Sequence, residues 1–298
     1  MLPFLLVAVF VGIGAFLPVC AAEPVVRITP LPALTIEGRP ARAHTQGLEA
    51  IGSHLLVTAR RDDLQPKRAL LLRTRPGSLT WDFWDITVSD GAGTPNALDH
   101  PGGFQSDGTR LWIPLAQSAR NGHSRIRVYP LDKLKPGAAL TPELEFPVDD
   151  HIGAIAVSRD TGRAIGASWD TESVYVWDLS GRLQRRLMAP ELRVRKLGMT
   201  RTPEPRSGLA VQDWKFVGHR LLASGLHKEA DGVHPIPQSR LIWFDSFLEP
   251  EVRVTVLTLP RLGSVEPSRE GMTVSGADLL LLPEDLGATN RLLRIPSR

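Results

Sequence analysis

A short motif recurs five times along this 298-residue chain, and it constrains the fold more than any other feature. Each copy contains a small residue followed by an apolar one, and an apolar run of strand-forming residues comes soon after. The copies are HTQGLE, HPGGFQ, HIGAIA, PRSGLA and SREGMT, with their small anchors at Gly47, Gly103, Ala154, Gly208 and Gly271. The anchors are 51 to 63 residues apart, and a period of about 50 residues indicates a propeller or a solenoid.

The residues that follow each anchor distinguish these two architectures. In the first copy, apolar runs follow at Leu55–Ala59, Ala69–Arg73 and Thr80–Ile86, separated by polar turns. The later copies keep this order, and four short strands per repeat is the make-up of a propeller blade. We therefore predict an all-β, five-bladed β-propeller of four-stranded blades, with a six-bladed ring as the alternative.

The two ends of the chain are predicted to close the ring together. The fifth copy ends at Arg298 without a fourth strand, whereas Val25–Thr29 supplies a spare one near the amino terminus. If this strand pairs beside Arg291–Ile295, the last blade is completed. Closure would remove the open sheet edges that otherwise favour aggregation.

The first residues have the pattern of a secretory signal peptide. Leu2–Phe16 is apolar and uncharged, and small residues follow, up to Ala21 and Ala22. We predict a signal peptide over residues 1–22, cleaved after Ala21 or Ala22, and a single propeller domain over residues 23–298. The mature protein is then secreted or periplasmic. Lipid attachment at Cys20 is the less favoured alternative, because the residues before it lack the usual small one.

Composition excludes several other classes of protein. Cys20 is the single cysteine, so the mature chain has no disulfide and no cysteine-ligated metal. The net charge is +3, with the basic residues dispersed among acidic ones, which argues against a nucleic-acid partner. No later segment approaches the ~20 apolar residues of a membrane span. We expect a monomer that binds a small molecule or a peptide.

Two segments resemble known propeller families. HTQGLE is similar to the TQGL segment of the plant-type and bacterial glutaminyl cyclotransferases, and this resemblance implies a five-bladed propeller and cyclotransferase-like chemistry. REGMTVSGADLLLLPED (Arg269–Asp285) resembles stretches of that family and of the gluconolactonase and strictosidine synthase-like propellers. HPGG is more similar to secreted propellers of uncharacterised function.

Three histidines occupy one register of three consecutive repeats. His44, His100 and His151 each stand three residues before the anchor, so blade symmetry would bring them to one end of the central channel. Three neutral imidazoles with an open fourth position make a catalytic zinc arrangement. One hypothesis is therefore a site for one divalent metal. The alternative is that each histidine bonds a neighbouring blade and joins the blades together.

Further polar residues are predicted to surround the same mouth. Glu270, one residue before the fifth anchor, is a candidate general base, and His100 is the second predicted catalytic residue. Asp99 and Asp150 precede two of the histidines and could orient their rings. The predicted substrate-binding residues are Gln46, Gln105, Asp99, Asp150, His227 and His234. The expected function is a hydrolase, lactonase or cyclotransferase-like enzyme, and the alternative is a non-catalytic binding or scaffold propeller.

Overall fold

The computed structural model describes residues 26–88, 97–197, 208–228 and 238–296. These residues form five four-stranded antiparallel blades arranged as a five-bladed β-propeller, which confirms the predicted fold class. None of the helices within these ranges is long and apolar enough to cross a membrane. The predicted signal peptide lies outside the described residues.

The strands follow one another from the axis outward in each blade. The chain begins with β1 (Arg27–Leu31) and a small hairpin of β2 (Thr35–Ile36) and β3 (Arg39–Pro40). Blade 1 contains β4 (His44–Ile51), β5 (His54–Arg61), β6 (Arg68–Thr74) and β7 (Asp82–Asp85). Blade 2 contains a split inner strand, β8 (His100–Pro101) and β9 (Gln105–Ser106), then β10 (Arg110–Ala116), β11 (Ser124–Pro130) and β12 (Leu144–Val148).

The remaining blades repeat this arrangement. Blade 3 contains β13 (Ile152–Ser158), β14 (Arg163–Ser168), β15 (Val174–Asp178) and β16 (Leu183–Leu187). Blade 4 contains β17 (Gly208–Val217), β18 (Arg220–Lys228), β19 (Gln238–Asp245) and β20 (Arg253–Thr258). Blade 5 contains β21 (Gly271–Ser275), β22 (Asp278–Leu282) and β23 (Asn290–Pro296), with β1 as its outermost strand. Within the described ranges, the helical segments are α1 (Ala189–Val194) and the short 3₁₀ turns Leu131–Lys133 and Trp169–Thr171.

The hydrophobic core lies between the blades. Within the described ranges, the buried apolar side chains form five clusters, each built from two neighbouring blades. Because the middle strands are covered on both faces, they are nearly continuous apolar runs, such as the Leu55–Ala59 part of β5. An outer strand such as β16 is mostly exposed and correspondingly polar.

The ends of the chain close the ring as predicted. β1 pairs antiparallel with β23, from Arg27 opposite Arg294 to Leu31 opposite Asn290. The strand lies two residues later than the predicted Val25–Thr29, and Val25 lies outside the described residues. Leu31, at the end of this pairing, and Leu34, just after it, are buried, so the amino-terminal segment also contributes to the layer between blades 5 and 1.

The fourth repeat is anchored five residues later than the sequence predicted. In blades 1, 3 and 4 the pairing of the inner strand with the second strand shifts by one residue immediately before the residue that reaches the axis. The residues skipped in the pairing are Gln46, Gly153 and Gln212. The anchor of blade 4 is therefore Asp213, and the prediction of Gly208 is wrong. With Asp213, the anchors are more evenly spaced, at 51 to 59 residues. Gly208 resembles the other anchors, but it only begins the ten-residue β17.

Crowding at the axis explains the small anchors. A Cβ atom on Gly103 would lie 2.6 Å from Asp213 Oδ1 and 2.9 Å from Asp213 Cα. One on Gly271 would lie 2.7 Å from the carbonyl carbon of Gly47. Real side chains do not approach so closely, so these strands can meet only through residues without a side chain.

Candidate functional site

One mouth of the channel is formed where the inner strands begin and the second strands end. His44 lies opposite Arg60, His100 opposite Ala116 and Ile152 opposite Ser168. The loops after the second strands therefore surround the beginnings of the inner strands. His227, near the end of β18, lies at this level opposite Leu209 and is buried. His234 lies outside the described residues.

His44 forms a short hydrogen bond with a carboxylate of blade 5. Its Nδ1 lies 2.6 Å from Oδ1 of Asp285. This bond is the main cause of a raised pKa for His44, and in return it lowers the pKa of Asp285. Glu270 is also close, and in its ionised form it raises the pKa of His44 further.

Glu270 is a buried carboxyl group at the mouth. It is 5% exposed, and its Oε1 lies 3.3 Å from Nε of the exposed Arg269. Burial is the largest influence on it and raises the pKa of Glu270 to about 8, against the lowering effect of His44 and Arg269. The group is therefore mostly protonated at neutral pH.

His100 has both ring nitrogens in hydrogen-bonding contact. Its Nδ1 lies 2.7 Å from Nη1 of Arg60, and its Nε2 lies 3.2 Å from Oε1 of Gln46. An arginine can only donate, so Nδ1 accepts and Nε2 carries the proton. Burial, aided by His151 and Arg60, holds the pKa of His100 well below its usual value, and the ring stays neutral.

His151 packs between aromatic and backbone groups. Its Nδ1 lies 3.1 Å from the carbonyl oxygen of Ala119. Its ring centre is 4.6 Å from that of Trp169 and 5.1 Å from that of His100, both in edge-to-face arrangements. Burial lowers the pKa of His151 as well.

Each of the three histidines contacts the preceding blade in the ring. His44 of blade 1 bonds blade 5, His100 of blade 2 bonds blade 1, and His151 of blade 3 bonds blade 2. This is the arrangement expected if the histidines join blades. In the described parts of the chain, no group of three or more His, Cys, Asp or Glu side chains is placed to share a metal ion. The three-histidine metal site stays a prediction.

Two aspartates that were expected to orient the histidine rings have other partners. Asp99 accepts a hydrogen bond from the hydroxyl of Ser118. Asp150 accepts one from the backbone N–H of His151 and one from the hydroxyl of Tyr175. They shape the loops, whereas Arg60 and the Ala119 carbonyl orient the rings.

The side-chain amide of Gln105 forms hydrogen bonds with the backbone of neighbouring inner strands. Its Oε1 accepts the N–H groups of Val157 and Phe216, and its Nε2 donates to the Phe216 carbonyl. Gln105 lies five residues beyond His100 along the inner strand of blade 2 and connects it with blades 3 and 4. Its contacts are those of a structural residue.

One mouth residue was missed in the sequence. Gln212 precedes the anchor Asp213 and is half-buried. It therefore occupies the register of Gln46 and Glu270 in its own blade. Even spacing of the anchors was the signal that could have identified it.

These features define a class: a five-bladed β-propeller with a buried carboxyl group, a histidine–aspartate pair and amide side chains around one mouth. The chain belongs to a family of unknown function, DUF6454, whose model matches residues 84–256. A search of curated proteins finds no match.

Several solved structures share the propeller architecture at low sequence identity. A Bacteroides ovatus protein provisionally described as a glycoside hydrolase is 11% identical, with a TM-score of 0.53 over 91% of this chain and 93% of that one. A structure from the GH130 family of mannoside phosphorylases is also 11% identical, with a TM-score of 0.48 over 86% and 84%. The WD40 repeats of RRP9 are 10% identical, with a TM-score of 0.46 over 93% and 99%. These likenesses concern the fold alone.

Proposed function

We propose that the mouth of the ring is an acid–base site that hydrolyses a small polar substrate. The observation that carries this proposal is the buried carboxyl of Glu270 beside the His44–Asp285 pair, at 2.6 Å between Nδ1 and Oδ1. A protonated carboxyl next to an oriented imidazole supplies an acid and a base at one place. The amides of Gln46 and Gln212 would bind polar groups of the substrate.

The roles follow from the proton on each group. The Asp285 carboxylate holds the proton on Nδ1 of His44, so that Nε2 of the neutral ring can take a proton from a water molecule. The water oxygen attacks the substrate while Glu270 donates its proton to the leaving group. One water molecule is consumed, and the proton on His44 returns to Glu270 through solvent in the next cycle.

A panel of chromogenic substrates tests this function. The panel holds aryl esters, lactones and aryl glycosides; the glycosides reflect the Bacteroides ovatus protein. N-terminal glutaminyl peptides, which reflect the TQGL motif, are assayed separately, because their cyclisation consumes no water and would not support hydrolysis. E270Q and H44A should each lower turnover by roughly 100-fold or more, as is usual for an acid or base. E251Q, at an exposed turn after β19, is the matched control and should not change turnover. Absence of turnover across the panel, or full activity of E270Q, would contradict the proposal.

The second candidate is a binding propeller without catalysis. The contacts of all three histidines with the preceding blade favour it, because these rings then have a structural reason to be present. Saturable ligand binding without turnover, retained in E270Q, would support this candidate.

Two further proposals come from the sequence. The first is one divalent metal at His44, His100 and His151, for which His100 would have to give up a hydrogen bond; elemental analysis of the purified protein is the test. The second is export with cleavage after Ala21 or Ala22. N-terminal sequencing of the protein from a bacterial host tests it, and an intact Met1 on cytoplasmic protein would refute it.

A further inference from the structure

A buried ion pair occupies the axis directly beneath the mouth. Asp213 is fully buried, and its Oδ2 accepts the backbone N–H groups of Leu48, at 3.1 Å, and Met272, at 3.0 Å. Its Oδ1 lies 2.5 Å from Nζ of Lys215, which also donates to the carbonyl oxygen of Phe104 at 2.5 Å. Two side chains of blade 4 thus contact the inner strands of blades 1, 2 and 5.

The contacted backbone groups lie close to the mouth residues in the sequence. Leu48 follows Gln46 by two residues, and Met272 follows Glu270 by two. Phe104 follows His100 by four residues in the split inner strand of blade 2. Each contact therefore fixes the position of one inner strand along the channel axis, and with it the position of one side chain at the mouth.

The need for this ion pair follows from the geometry of the inner strands. Small anchors in the other four blades leave room at the axis, and the N–H groups of Leu48 and Met272 point into it. Buried N–H groups require acceptors, and a buried carboxylate requires a charged partner. A buried polar group that can be satisfied in only one arrangement also selects that arrangement.

We propose that Asp213 and Lys215 are positioning residues of the mouth site, which hold the inner strands of blades 1, 2 and 5 at one height so that Gln46, His100 and Glu270 converge. This inference rests on the proposed acid–base function. Neither residue touches the substrate. The His44–Asp285 hydrogen bond reports on the same positioning, because it joins blade 1 to blade 5.

Two double variants separate positioning from a general effect on stability. Both remove the two buried charges. D213N/K215M keeps an oxygen that can accept the two N–H groups, whereas D213L/K215M keeps the volume without the acceptor. The readouts are the NMR signal of the His44 Nδ1 proton, assigned with H44A, and turnover on the substrate panel, with thermal melting as the control for folding.

D213N/K215M should keep the His44 proton signal and turnover within about threefold, because the amide oxygen still holds blades 1 and 5, which carry His44 and Glu270. The His100 signals alone should shift, since Phe104 loses its donor. D213L/K215M should lose the signal and on the order of 100-fold in turnover, because a displacement of about 1 Å can have that effect. A folded D213L/K215M with the wild-type signal would overturn the proposal, as would equal losses in both variants. If D213L/K215M does not fold, the single variant K215M is used to test the positioning role instead. It should shift the ring signals of His100 and spare the His44 proton, and unchanged His100 signals would refute the positioning role.

The proposed function and this inference fail in different ways. The His44 proton signal needs no substrate, so it tests positioning even if the panel shows no turnover. Conversely, E270Q leaves Asp213 and Lys215 intact, so full activity of E270Q would refute the acid–base function alone. The two double variants would still test the positioning role of Asp213 and Lys215.

Discussion

The residues closest to the axis divide into those that leave space and one that fills it. Gly47, Gly103 and Gly271 allow the inner strands to approach each other, and the side chain of Asp213 occupies the space between them. At the mouth, burial of Glu270 and the hydrogen bond of His44 to Asp285 push the two pKa values in the directions that acid–base chemistry needs. Packing and chemistry thus depend on adjacent residues of the same strands.

Two glycines in neighbouring blades form a matched pair for the packing argument. G103A would place a methyl group 2.6 Å from Asp213 Oδ1, whereas a Cβ on Gly153 would meet only the carbonyl oxygen of Ala167, at 4.0 Å. We expect G103A to lower the free energy of unfolding by about 1–3 kcal/mol or more, as overpacking does. G153A should have little effect. Chemical denaturation of both variants is the measurement, and equal stability of the two would contradict the crowding of the axis.

At the scale of the strand, closure of the ring depends on β1. It completes blade 5 by pairing with β23; its last residue, Leu31, is buried, and so is Leu34 just after it. Full burial of a leucine contributes roughly 1.5–3 kcal/mol. The strand therefore contributes both edge protection and core packing.

Removal of β1 should destabilise the whole ring. A chain that starts at Thr35 should unfold at a lower temperature than one that starts at Val26, with a loss of roughly 3–6 kcal/mol for the two buried leucines. The shortened chain should also aggregate more readily because β23 becomes an exposed edge. Coincident melting curves for the two chains would refute the closure.

The strands could be predicted from the sequence because each blade layer is apolar on both sides. The predicted runs Leu55–Ala59 and Ala69–Arg73 lie within the buried strands β5 and β6. The fourth anchor could not be recognised by residue type, because a charged residue at the axis is allowed only by partners from blades 1, 2 and 5. Those partners are distant in the sequence. For the same reason, the contacts of Arg60 with His100, of Trp169 with His151 and of Asp285 with His44 required the structure.

At the scale of the whole molecule, the described residues hold the ring together through five apolar layers and a polar centre. Glu49 joins Asp213 and Lys215 there: its Oε1 accepts the N–H of Ser106, and its Oε2 accepts the hydroxyl of Thr273. Burial raises the pKa of Glu49 to about 7 and that of Asp213 to about 6, against the opposing effect of Lys215. The stability of the ring is therefore linked to pH.

The direction in which stability changes with pH can be tested with E49Q. Between its usual pKa and about 7, Glu49 binds a proton more tightly in the folded than in the unfolded protein. Its contribution to the free energy of unfolding therefore falls as the pH rises through this window. Between pH 4 and pH 8, the free energy of unfolding of E49Q should rise relative to that of the wild type by on the order of 3 kcal/mol. E251Q is the exposed control, and urea unfolding at several pH values is the measurement. A stability difference between E49Q and the wild type that is independent of pH would contradict the assignment.

The central claim is that the mouth holds a carboxyl group that stays protonated at neutral pH next to an oriented histidine. Its most direct test is a pH titration of the side-chain carboxyl carbons by ¹³C NMR, with the Glu270 signal assigned by its absence in E270Q. The structure predicts a pKa of about 8 for Glu270, caused by its burial. An ordinary glutamate value, near 4.3, would show that the group is solvated and ionised, and it would contradict the acid–base site.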